Sequence, residues 1–249
     1  MRYEIILDEK ASVIYVSMES PRPRRISFVG YDATKKDTVY FAISKTVSGR
    51  RIIELPMPLT PQTLTLDIVP EGGGFGSHMN IKEVKVYDMP TTVVPFTKES
   101  LEYYNFLKRI AKDTGELTPG FYTSKDENCV MWVKEHLDGD STPARINRRT
   151  SVVKWNLSQM RKFTVYMRMY MGLHEREHYD LQSTDEVRVD TAALKKFLIM
   201  NYPASEANYA MTKVFDNSKE AIARAANMDR IIKENDRRKM NKPIVRIAA

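Results

Sequence analysis

Leu173-His-Glu-Arg-Glu-His-Tyr179 is the stretch on which the reading of this chain turns. His174 and His178 stand four residues apart, a spacing that puts both on one face of a helix, a turn apart, so that their imidazoles can converge on one ion. Glu175 follows the first histidine, the position from which a carboxylate can act as general base on a water held at such an ion. Only four histidines, His78, His136, His174 and His178, occur in 249 residues, and two of them fall in this window.

Downstream, Glu186 and Asp190 sit four apart at the start of the next helical pattern. Glu186 is placed to be the third protein ligand, and Asp190 to accept the free imidazole N–H of a histidine ligand, which fixes its tautomer. Asp185, next to Glu186, is a rival for the third position. Ser183-Thr-Asp-Glu186 has the spacing of a capping box, opening a helix to about Asn201. The single cysteine, Cys129, excludes zinc sites built on four cysteines or on paired cysteines and histidines. The pattern H-E-x-x-H … E-x-x-x-D resembles the gluzincin class of zinc metallopeptidases. That resemblance implies Zn2+ held by His174, His178 and Glu186, with Glu175 as the base and Asp190 supporting a histidine. Arg176 and Val189 depart from the apolar and small residues common at their positions in the pattern, and Glu177 adds charge beside His178.

Upstream, Ala144 to Trp155 reads as one strand, and Asn156 or Ser158 opens a long helix running to about Tyr179. A strand so placed is either an open edge for an extended peptide or an ordinary buried strand. Tyr179 and Tyr202 are candidates for stabilising an oxyanion. Thr97 is a cap for a helix carrying Leu101, Tyr104, Leu107 and Ile110. Asp126 opens a second helix with Val130, Val133 and Leu137 inward, Cys129 a core thiol on it and His136 at its end. Met167, Met169 and Met171 alternate, form no single helical stripe, and read as adaptable packing. Pro203 to Phe215, and Asn217 or Ser218 to Lys239, complete the helices.

Residues 1–92 show a different period. Seven or so short β-branched or aromatic runs, separated by turns such as Pro21-Arg-Pro23 and Ser48-Gly49, suggest a β-sandwich. Glu71-Gly-Gly-Gly-Phe-Gly76 lacks the Lys-Ser/Thr of a phosphate-binding loop, and His78 beyond it is expected to be exposed. Met89 to Pro95 reads as a linker. The expected fold is α+β: an all-β, sandwich-like domain over 1–92, a mainly helical zincin-like domain with a small sheet over 93–240, and an extended tail over 241–249.

Net charge is +7 with pI near 9.3, but the basic residues are dispersed. They read first as solvated or partner-facing surface, with direct nucleic-acid contact the lesser reading. No run approaches the ~20 apolar residues of a membrane span. Met1 to Lys10 lacks the apolar run of a signal peptide, so a cytosolic or cytosol-assembled protein is expected.

Over residues 143–217, Pro143-Ala-Arg-Ile-Asn-Arg148, Ser151-Val-Val-Lys-Trp-Asn156, Phe163-Thr-Val-Tyr-Met-Arg-Met-Tyr170, Leu173 to Tyr179, Asp185 to Leu194, Asn201-Tyr-Pro-Ala-Ser-Glu-Ala207 and Lys213-Val-Phe215 are similar to zincin-like proteins encoded by tailed bacteriophages, especially crAss-like phages. The resemblance covers roughly a third of the chain. It implies a virion component of the tail or head–tail region, forming a ring of identical copies and contacting a peptide substrate or other virion proteins. The alternative it leaves is a purely structural ring protein, using the same fold as a scaffold without catalysis.

Overall fold

The structure is a computed structural model that describes residues 1–35, 37–72, 79–90, 96–137, 142–214 and 218–240. Its first part is β1 (Arg2–Ile6), β2 (Ser12–Asp32), β3 (Val39–Met57), β4 (Thr63–Pro70) and β5 (Asn80–Asp88), which form one sheet in the order β1-β4-β2-β3, with β5 also on β2. The expected seven or so strands are therefore five, in one hydrogen-bonded sheet rather than two separate ones. The reason lies at Pro21-Arg-Pro23. These residues are not a turn but a bulge, with a register shift between Ser20 and Arg24, and β2 pairs with β3 on both sides of it. Proline lacks an N–H and is tolerated where a ladder is interrupted. On the other edge of β2, β5 pairs with residues 12–19 and β4 with residues 26–32, so the prolines fall between the two partners. Gly49, opposite Ser20, adopts φ +64. Ile14, Val16, Met18, Ile26 and Phe28 all point into the core.

The second part contains α1 (Lys98–Asp113), β6 (Gly120–Thr123), β7 (Val130–Lys134), β8 (Ala144–Ile146), β9 (Val153–Asn156), α2 (Leu157–Met160), α3 (Val165–Asp180), α4 (Glu186–Ile199), α5 (Ala204–Thr212) and α6 (Lys219–Met240). Its sheet runs β6-β7-β9-β8, with β7 and β9 parallel and the outer pairs antiparallel. Three expectations change here. The helix from Asp126 is a turn followed by β7: the apolar spacing fits a helix, but Val-Met-Trp-Val is β-branched and aromatic, and it alternates Met131 and Val133 inward with Trp132 outward. His136 consequently ends no helix; its Nδ1 lies 3.1 Å from Ser158 Oγ. The strand Ala144–Trp155 is a hairpin of β8 and β9, bent where Asn147 Oδ1 accepts the Arg149 amide and Ser151 takes φ +56. The long motif helix is split, because Thr164 caps a new start by accepting the Met167 amide.

Cys129 is buried, as expected of a core thiol. His78, the glycine run after Gly72, most of the expected linker and the 241–249 tail lie outside the described residues. Among the described residues, no helix is long and apolar enough to cross a membrane.

α3 is buried on every side from Val165 to Glu177, which places Met167, Met169 and Met171 in the core together despite their alternation. α1 approaches it closely at Gly172, where an added Cβ would fall 2.3 Å from Leu107 Cδ1. Arg168, 2% exposed, donates Nε to Met160 O and Nη1 to Ala111 O, satisfying helix-end carbonyls; burial and then Arg161 pull it down to about 10. The two parts share one buried cluster. Tyr166 of α3 stacks on Phe41 and donates to Leu59 O, while Glu206 of α5 accepts the Ala42 amide and the Thr164 hydroxyl.

Burial pushes Glu206 from the ordinary 4.5 up to about 7, against its two donors. A carboxyl held neutral in the folded state stabilises fully below its unfolded value, and that contribution is lost as pH rises through about 7. Urea unfolding should therefore show stability falling between pH 4.5 and 8. Glu206→Gln should remove on the order of 2 kcal/mol of that fall. An unchanged pH profile in the variant would assign the slope elsewhere.

Candidate metal centre

The last turns of α3 and the first turns of α4 build the site. α3 ends at Asp180, the chain reverses through Gln182 at φ +46, and α4 begins at Glu186. The reversal is held by the Leu181 amide on Glu177 O and the Ser183 amide on His178 O. The helix cap is Asp185, whose Oδ1 accepts the Arg188 amide; Ser183, expected to cap, instead accepts the Asp185 amide. Capping occupies Asp185, so the rival for the third ligand position is set aside and Glu186 faces the histidines.

His174, His178 and Glu186 form a group close enough to hold a metal ion. The two Nε2 atoms lie 3.2 Å apart; Glu186 Oε2 is 3.4 Å from His174 Nε2, and Oε1 is 3.4 Å from His178 Nε2. A tetrahedral ion with bonds of about 2.0–2.1 Å spaces its ligand atoms about 3.3–3.4 Å apart. The two imidazole nitrogens are slightly closer than this, and Glu186 turns one carboxylate oxygen to each of them. The tautomer of His178 matches as well. His178 Nδ1 lies 2.8 Å from Ser183 O, which can only accept, so Nδ1 carries the hydrogen and Nε2 the lone pair. His174 Nδ1 lies 2.9 Å from Asp190 Oδ1, a close ionic contact off the line of a hydrogen bond. With His174 protonated, its Nε2–H donates to the His178 Nε2 lone pair across this gap, and a bound cation would take that proton's place.

A further residue completes the group. Arg224 of α6 donates Nε to Asp190 Oδ2 at 2.7 Å and Nη2 to Asp190 Oδ1 at 3.1 Å, and its Nη2 lies 3.0 Å from Glu186 Oε2. One guanidinium thus fixes both Glu186 and the carboxylate behind His174. α6 reads in sequence as a charged helix, and the signal for Arg224 is its company: Ala221, Met228 and Ile231 are buried at helical spacing on the same face. Tyr179 and Tyr202, the expected oxyanion partners, do not line the cavity. Tyr202 is buried against Phe197 with its hydroxyl on Tyr104, and Tyr179 lies under the Arg176 guanidinium.

Burial alone would discharge His174, but Asp190 and Glu186 outweigh it and push the imidazole up to about 10. Burial likewise opposes the charge on Glu186 and Asp190, yet His174 and Arg224 hold both below the usual carboxylate range. Burial lowers His178. Glu175, 6% exposed, is pushed by burial up to about 7, eased by His174 and by the Ile146 amide it accepts from. The departures from the motif resolve away from the ligands: Arg176 pairs with Asp180 at 2.7 Å and Glu177 with Lys196.

Beside the group opens a cavity of about 380 Å³, lined by Glu175, Met171, Met211 and Arg224 among others, and by Ala144 to Ile146 of β8. β8 is the end strand of its sheet among the described residues. The Asn147 amide bonds Val152 O and the Asn156 amide bonds Pro143 O, so Ala144 and Ile146 turn their backbone groups away from β9, where the Ile146 amide meets Glu175.

Searches against protein-family models, curated proteins and solved structures find no match.

Asp190→Asn would leave His174 without its anionic support and Arg224 without a full partner. Its affinity for Zn2+, measured by competition with a chromophoric chelator, should fall about 10–100-fold relative to the unsubstituted chain.

Proposed function

We propose that this chain is a zinc-dependent, zincin-type peptidase. The observation that carries the reading is the convergence of His174 Nε2, His178 Nε2 and the Glu186 carboxylate, open on one side to a cavity that β8 borders. His174, His178 and Glu186 would hold Zn2+, which when bound acidifies water and polarises a carbonyl. Glu175, adjacent to the first ligand and poised near neutral pH, takes a proton from the attacking water and returns it to the leaving amine. The Ala144 backbone and the Ile146 carbonyl offer pairing to an extended peptide, which would bring a scissile bond alongside Glu175. Arg224 and Asp190 keep the ligands aligned.

On the motif resemblance to zincin-like phage proteins, we extend the proposal to a virion component of the tail or head–tail region, assembled as a ring. The rival, a scaffold without catalysis, needs no cavity at the ligand group and no carboxylate poised beside it. The arrangement around Glu175 favours the enzyme.

Elemental analysis should find about one zinc per chain, and almost none in His174→Ala, which loses one of three ligands. Glu175→Gln should keep its zinc and lose peptidase activity on casein by about 10²–10⁴-fold. Zinc retained with no casein hydrolysis by the unsubstituted chain would instead establish the scaffold.

A further inference from the structure

The outward face of the β6-β7-β9-β8 sheet carries an arrangement of which only Arg145, at its β8 end, also borders the metal-site cavity. Phe121 pairs in register with Trp132, Trp132 with Lys154, and Lys154 with Arg145. Side chains on registered neighbours share a face, so a single row crosses all four strands, two aromatics followed by two cations. The opposite face is core, with Met131, Val133, Val153 and Trp155 fully buried.

The rings of Phe121 and Trp132 stand nearly parallel, with centroids 5.3 Å apart at 14°. From the β9 side the Lys154 ammonium lies 5.4 Å from the Trp132 centroid, and Lys134, two residues along β7, lies 4.5 Å from it. Trp132 is thus stacked on one ring and approached by two ammonium groups. Phe121 is different. It ends the row on an end strand and is 67% exposed, leaving a flat apolar ring in water. Cross-strand packing and cation–π contact account for Trp132 and for one face of Phe121, but not for the other face of that ring. No acidic residue occupies this face of the four strands.

A free ring beside cations is complementary to a ligand that is both flat and anionic. A nucleotide strand meets both demands, because each base has a π-face and each phosphate a negative charge. A duplex meets only the second, since its bases are already stacked on one another. We propose that this face binds single-stranded nucleic acid, with a base stacking on Phe121 and the phosphates running along Lys154 and Lys134. This goes beyond the peptidase reading and does not depend on it.

The test is a titration of the full chain with labelled oligo(dT) at about 50 mM salt, followed by anisotropy and by intrinsic fluorescence. The chain has two tryptophans and Trp155 is fully buried, so quenching reports on Trp132. Binding with quenching is expected. An abasic strand of equal length should bind about tenfold more weakly, and Phe121→Ala should weaken oligo(dT) to a similar extent. Lys154→Glu should weaken binding and flatten its salt dependence. Phe121→Leu, which keeps an apolar side chain without a flat ring, should behave like the alanine variant and guards against a folding artefact. Equal binding of the abasic strand, unchanged binding by both Phe121 variants, a duplex held as tightly as the single strand, or no binding at this salt, which would leave the face to a protein partner, would each overturn the proposal.

Discussion

A helix buried on every side must satisfy within the protein each polar group it carries, and α3 carries many. Arg168, His174, Glu175, Arg176 and Glu177 are all buried there. Leaving any of them without a partner would cost several kcal/mol. Each therefore fixes a neighbour: Arg168 collects carbonyls from α1 and α2, Arg176 holds Asp180, and Glu177 holds Lys196 of α4. His174 requires Asp190, and Asp190 requires Arg224. The positions of α4 and α6 follow from this chain of obligations as much as from apolar packing. The same chain leaves the histidine nitrogens aimed at one point.

The candidate site was legible because it is local. His174, Glu175, His178, Glu186 and Asp190 depend on helical spacing and one short reversal, both of which sequence expresses directly. Arg224 was not, because it arrives from a distant helix and its role is set by what it meets. The choice between Asp185 and Glu186 likewise needed the cap geometry, since the two carboxylates are adjacent and only backbone direction separates them. The split of the motif helix turned on Thr164, which reads as an interior residue until its hydroxyl is seen to accept the Met167 amide.

The fold was legible in class but not in connection. Alternating patterns marked the strands of the first part, yet Pro21 and Pro23 read as a turn because proline usually breaks a ladder. Only the pairing itself reveals that the ladder with β3 resumes beyond them. Residues 126–137 fit two periods at once, and the pairing of β7 with β6 and β9 decided between them. Tertiary pairing overrides local preference most readily in such short segments. The shared core also joins the first sheet to α3 and α5 through Tyr166 and Glu206, contacts that span more than a hundred residues and leave no local trace.

The reversal between α3 and α4 bears on the order in which the chain assembles. Closing a short loop costs little entropy, whereas pairing β1 with β4 joins residues such as Arg2 and Asp67 across a long intervening stretch. The histidines and Glu186 can thus meet as soon as the two helices dock, while Arg224 must wait for α6, 34 residues beyond Asp190. A chain emerging from the ribosome would present the three ligands before the guanidinium that steadies them. During that interval the carboxylates would have only a cation from solution, or each other's histidines, to neutralise them.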